Sequence, residues 1–92
     1  MASKRNIERA KKAIREFLLQ NRGTKYFMLY TLSVVADKAV GKELFPSLYD
    51  YEILVPGRIA WIDAEDLDER TVAKGLGGRF LSVENPYYSK NY

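Results

Sequence analysis

The chain has 92 residues, is 47% apolar, 13% aromatic and 29% charged, and carries a net charge of +3, which fits one small core and argues against disorder. It contains neither cysteine nor histidine, so disulfide frameworks, thiolate or imidazole metal sites, and Ser-His-Asp or Cys-His catalysis are excluded. The +3 conceals a split: residues 1–42 hold ten Lys/Arg against three Asp/Glu (+7), and residues 43–92 hold five against nine (−4).

The first element is a helix over residues 7–21. Ile7, Ala10, Ile14, Phe17 and Leu18 recur at helical spacing, Ser3 or Asn6 caps the start, and Gly23 sits where the helix ends. A second helix is expected from Lys25 to Val40, capped by Thr24 and closed by Gly41. Its apolar residues lie nearly all round, as in a central buried helix. The run Tyr26–Val35 is rich in aromatic and β-branched residues and fits a buried strand as well.

Residues 42–50 form a connection broken at Pro46. Short strands at 51–55 and 58–62 then flank Pro56-Gly57, the signature of a type II turn, and read as a hairpin. A third helix is expected from about Ala64 to Leu76, with Asp63 as its cap. Asp63, Glu65, Asp66, Asp68 and Glu69 load its first turns, where the macrodipole favours negative charge. Residues 79–84 return as a strand. The expected class is therefore α+β, with two N-terminal helices, a hairpin, a third helix and a final strand. Residues 1–86 make one compact domain and 87–92 a tyrosine-rich tail.

Four clusters invite a functional reading. Lys4, Arg5, Arg9, Lys12 and Arg15 on helix one, with Arg22 beyond it, form a basic face suited to phosphate contacts. Tyr49, Tyr51, Tyr87, Tyr88 and Tyr92 fall in connections or the tail, where tyrosines often mark a docking surface. Lys74-Gly75-Leu76-Gly77-Gly78-Arg79 matches no phosphate-loop pattern, and the acidic run 63–69 lacks the spacing of a calcium loop. Helix-to-strand turn and helix capping account for these last two. No metal, no cofactor and no small-molecule substrate is expected.

The stretch Glu69-Arg70-Thr71-Val72-Ala73-Lys74-Gly75-Leu76-Gly77 resembles the second helix of a helix-turn-helix. Placed after two helices and before a strand, it resembles a winged-helix domain. That likeness implies Arg70, Thr71 and Lys74 as groove-reading residues. In size, composition and charge layout the chain is also similar to the small accessory subunits of archaeal replicative DNA polymerase assemblies. One Gln, four Asn and a single Met beyond the first give a mildly thermophile-like profile.

These likenesses imply a non-catalytic adaptor in DNA replication that contacts a larger protein, such as a DNA polymerase, and DNA through the complex. The alternative is a stand-alone winged-helix transcription regulator or chromatin protein. The longest uncharged run in the first half is Tyr26–Ala36, well short of the ~20 residues of a membrane span. The charged N-terminus has no apolar signal core. A cytoplasmic protein without membrane contact is expected.

Overall fold

The apolar stripe of the N-terminal segment becomes helix α1, Lys4–Gln20, with Ala10, Ile14 and Leu18 buried along it. In this computed structural model, which describes residues 3–63, 67 and 78–90, Ser3 is the cap, its Oγ accepting from the Asn6 amide at 3.2 Å. The helix stops at Asn21, two residues before Gly23. The Asn21 side chain turns back and donates to the Phe17 carbonyl at 2.7 Å, satisfying one of the acceptors that a helix end exposes.

The expected second helix divides in two. Tyr26–Met28 is strand β1, and helix α2 runs from Leu29 to Val40. Alternation decides the first part. Phe27 faces the core, its ring 5.0 Å from Phe17, while Tyr26 and Met28 join a second cluster with Ile62, Leu67 and Phe80. Helical spacing decides the rest, since Leu29, Leu32, Ser33 and Ala36 are the residues α2 buries. Thr24 does not cap α2; Met28 holds that position without a side-chain bond. Gly41 ends α2 as expected, at φ +85°, its amide bonding the Asp37 carbonyl at 2.8 Å. That left-handed conformation is what makes glycine the favoured residue there.

A 3₁₀ helix, Leu48–Ile53, follows, where a connection and then a strand were expected. Ser47 starts it by accepting from the Tyr49 amide at 3.3 Å. Asp37 anchors it: one carboxylate oxygen, Oδ1, accepts from the Leu44 amide at 3.1 Å and from the buried Tyr51 hydroxyl. Pro56-Gly57 does form the expected turn, with Gly57 at φ +74° and the Arg58 amide bonding the Val55 carbonyl at 3.3 Å. It joins the 3₁₀ helix to strand β2, Ile59–Asp63, so no hairpin exists at that turn.

Strand β3 spans Arg79–Glu84 and lies between β1 and β2, antiparallel to both. Phe27, Val83 and Ile59 are register partners on one face of the sheet. They meet Ile14, Leu18, Leu29 and Leu32 in the main core. Burying a side chain of this size contributes about 1.5–3 kcal/mol. The described residues thus make an α+β domain of two α-helices, a 3₁₀ helix and a three-stranded antiparallel sheet. The expected third helix over 64–76 lies outside them, apart from Leu67.

Candidate nucleic-acid interface

Helix α1 commits one stripe to the core and leaves the opposite side to water. Lys4, Arg5, Arg9, Lys11, Lys12 and Arg15 are all exposed there, with Glu8 and Glu16 among them. At 100° per residue, Lys4, Lys11 and Arg15 form one row beside the buried stripe, and Arg5, Arg9 and Lys12 form a second farther round. The ion pairs among the described residues, Arg58–Glu84 and Arg79–Asp63, involve none of these six. The row that contains Lys11 and Arg15 borders a cleft of about 270 Å³. Arg58, on the turn before β2, faces them across a floor of Ile14, Leu18, Leu54 and Tyr87. The Arg58 guanidinium is held by the Glu84 carboxylate at 2.9 Å.

Arg22 is exposed just beyond α1, and its carbonyl accepts from the Ser89 amide at 3.0 Å. The structure therefore gathers Lys4, Arg5, Arg9, Lys12 and Arg15 on one helix face and places Arg22 past its end. Arg70, Thr71 and Lys74 lie outside the described residues.

The described tyrosines among those expected on a docking surface, Tyr49, Tyr51, Tyr87 and Tyr88, do not share one. Tyr51 is 2% exposed, packed edge-on against Phe45 with ring centroids 5.0 Å apart. Burial first, then the hydrogen bond to Asp37 and that carboxylate's charge, hold its phenol well above the usual tyrosine range. It is a core residue because its hydroxyl has a partner inside. Tyr87 packs on the main core. Tyr88 is half-buried with the Lys25 ammonium 5.9 Å from its ring centre, and that ammonium also lies 5.4 Å from the Tyr26 ring. Tyr92 lies outside the described residues.

Asn85 fastens this end of the chain. Buried to 2% exposure, it directs its side-chain amide at the carbonyls of Leu18, Asn21 and Thr24, at 3.0, 3.1 and 3.1 Å. Its Oδ1 accepts from the Tyr87 amide at 2.9 Å. The chain after β3 is thereby tied to the end of α1.

Among the described tyrosines of that set, only Tyr49, 64% exposed, stands at an open aromatic surface. It lines a groove of about 400 Å³ with Tyr30, Leu48, Trp61, Arg79 and Phe80. Tyr30 and Trp61 are 59% and 51% exposed. Sequence reasoning missed both, taking one for a buried helix and the other for an ordinary strand. Trp61 shares the parity of Ile59 in β2, so alternation alone sends it to the core face. Its ring instead lines the groove together with Met28, Tyr30, Leu48 and Tyr49. Tyr30 carried a signal, lying four residues before Val34, which is also exposed.

Among the described residues, no helix is long and apolar enough to cross a membrane, and no three His, Cys, Asp or Glu side chains cluster as metal ligands would. No protein-family model, curated protein or solved structure matches the chain.

Proposed function

We propose that this chain is a non-catalytic accessory subunit of a nucleic-acid-processing assembly, of the kind that accompanies a replicative DNA polymerase. In this reading α1 lies against DNA while another face holds a larger protein. The observation that carries it is the outward side of α1, where six exposed cations outnumber two carboxylates and none enters an ion pair among the described residues. Such a surface gains most from a polyanion, whose condensed counterions are released when phosphates are neutralised. The contacts come from flexible lysine and arginine side chains along a helix flank. They hold the backbone without reading bases, so binding is indifferent to sequence and sensitive to salt.

A second reading, the free winged-helix regulator, is favoured by element order. Among the described residues, helix, strand, helix, short helix and two strands, with β3 between β1 and β2, resemble the winged-helix arrangement. The 3₁₀ helix would then take the groove-reading position. It has six residues, and among them Asp50 and Glu52 are exposed carboxylates that repel phosphate. For that reason the accessory role is preferred.

Affinity capture of the tagged full chain from its source cells, with quantified stoichiometry, tests the proposal. The expected result is a large nucleic-acid enzyme at a fixed ratio, together with weak, salt-sensitive DNA binding by the isolated chain. Tight binding of the isolated chain to one duplex sequence, with no stoichiometric partner, overturns it in favour of the regulator.

A further inference from the structure

The cleft beside α1 bears on which form of nucleic acid the basic helix meets. Its walls are α1 from Lys11 to Leu18, the turn from Leu54 to Arg58, and the chain after β3 at Pro86 and Tyr87. These walls are fastened together. Asn85 donates to the Leu18 carbonyl at 3.0 Å and accepts from the Tyr87 amide at 2.9 Å. The Arg58 amide closes the turn on the Val55 carbonyl at 3.3 Å. A cleft held in this way needs little ordering when a ligand enters. It lies where β2 begins and β3 ends, on the face of the sheet that meets α1; Leu67 packs with Met28, Ile62 and Phe80 on the other face.

The lining selects an anion. Lys11 and Arg15 stand on one wall and Arg58 on the other, and no Asp or Glu lines the cleft among the described residues. Glu84 holds Arg58, whereas neither Lys11 nor Arg15 enters an ion pair among the described residues. Positive charge also continues out of the cleft. Lys11 and Arg15 are four residues apart on α1, ~6 Å along its axis, and Lys4 extends their row. A lone carboxylate would be satisfied inside the cleft and leave the rest of the basic face unused. A strand with a negative charge on every unit engages both.

Between the cations the floor is apolar, with Ile14, Leu18 and Leu54 buried and Tyr87 half-buried. A duplex keeps its bases paired and stacked inside, so it can use the cations but not this floor. An unpaired nucleotide brings a phosphate and a flat face together, and bases stack on aromatic side chains whatever their identity. The volume of about 270 Å³ falls just short of the roughly 300–1,000 Å³ of pockets that enclose a drug-sized ligand, which suits one nucleotide.

We propose that this cleft seats one unpaired nucleotide of a single-stranded nucleic acid, its phosphate against Lys11 and Arg15 and its base over the floor at Leu54 and Tyr87. The chain therefore prefers single strands to duplex. The proposal rests on the reading of α1 as the nucleic-acid face and adds the form of the strand.

Fluorescence anisotropy of the full chain compares a labelled oligothymidylate, a duplex of the same length, and an abasic oligonucleotide with the same number of phosphates. Charge alone favours the duplex, whose phosphates are the more densely spaced; a base in the cleft reverses that order. Oligothymidylate is expected to bind at least about tenfold more tightly than either of the others. Tyr87→Leu, which keeps apolar bulk, should weaken oligothymidylate by about fivefold or more and leave the duplex unchanged, in protein with unchanged circular dichroism. In two-dimensional NMR spectra of the wild type, the Leu54, Val55 and Tyr87 amides should shift with oligothymidylate and stay in place with the duplex.

A duplex bound as tightly as oligothymidylate, an abasic strand bound without loss, or unmoved Leu54 and Tyr87 amides overturns the proposal. So does thymidine monophosphate or a polyglutamate peptide that moves those amides with the oligonucleotide's affinity, which would assign a free nucleotide or an acidic protein segment instead. The duplex arm reports on α1 separately. Salt-sensitive duplex binding with no preference for the single strand removes the cleft and leaves the basic face standing, whereas no binding of any probe removes both.

Discussion

Tyr49 and Tyr51 sit two residues apart on one 3₁₀ helix, in two regions built on different principles. Around Tyr51 the hydroxyl and the Leu44 amide share one oxygen of Asp37, and the ring is closed in by Phe45. Around Tyr49 the rings of Tyr30 and Trp61 remain open, and Arg79 is among the residues that line the hollow. The first region holds α2 to the 3₁₀ helix. The second leaves apolar area to be covered by something else. Counting tyrosines cannot separate the two, because the distinction lies in whether a hydroxyl finds an interior acceptor.

Substitutions that sharpen this contrast can be ranked. Tyr51→Ala removes a fully packed ring and should lower the unfolding free energy by about 3–5 kcal/mol. Tyr49→Ala, at an exposed site, should change it by no more than about 0.5 kcal/mol. Chemical denaturation of both variants checks the pair, and similar losses would erase the distinction between latch and groove. Asn85→Ala should cost about 1–3 kcal/mol, because the Leu18, Asn21 and Thr24 carbonyls lose their shared donor. The same measurement reads it, together with faster amide exchange at Tyr87 and Ser89.

Tyr51→Phe is a subtler probe because it keeps the ring. It should cost about 1.5–3 kcal/mol at neutral pH, the range for a hydrogen bond to a charged acceptor. The folded protein holds the Tyr51 proton more tightly than the unfolded chain does. Its contribution is therefore complete below the ordinary tyrosine pKa of about 10 and is lost as pH rises past that value. Stability measured from pH 8 upward should decline more steeply in the wild type than in Tyr51→Phe. A small effect is also expected for Arg58→Ala. Its ion pair with Glu84 is at the surface, the two side chains being 44% and 42% exposed, and should contribute at most about 0.5–1 kcal/mol. Thermal unfolding with and without added salt measures it.

The sequence made α1 legible to within three residues at its start and one at its end, because one apolar stripe at helical spacing and one serine cap dictate it. Gly41, the Pro56-Gly57 turn and strand 79–84 were legible for similar local reasons. The boundary at Met28–Leu29 was not: it depends on β3 pairing with Tyr26–Met28 from more than fifty residues away. The same holds for Tyr51, whose partner Asp37 is fourteen residues back, and for Asn85, which reads locally as the start of a tail yet bonds carbonyls more than sixty residues earlier. The basic face was visible because helical periodicity is local. The groove was invisible because five elements separated in sequence contribute to it.

The central claim, that α1 is the nucleic-acid-facing element, is tested most directly by the salt dependence of duplex DNA binding. Wild type is compared with the Arg5→Glu/Arg9→Glu/Lys12→Glu variant by fluorescence anisotropy. The wild type should lose affinity steeply as salt rises, and the variant should bind far more weakly, with a log–log slope shallower by about three if each residue neutralises one phosphate. The same affinity and the same slope in both proteins would contradict the account.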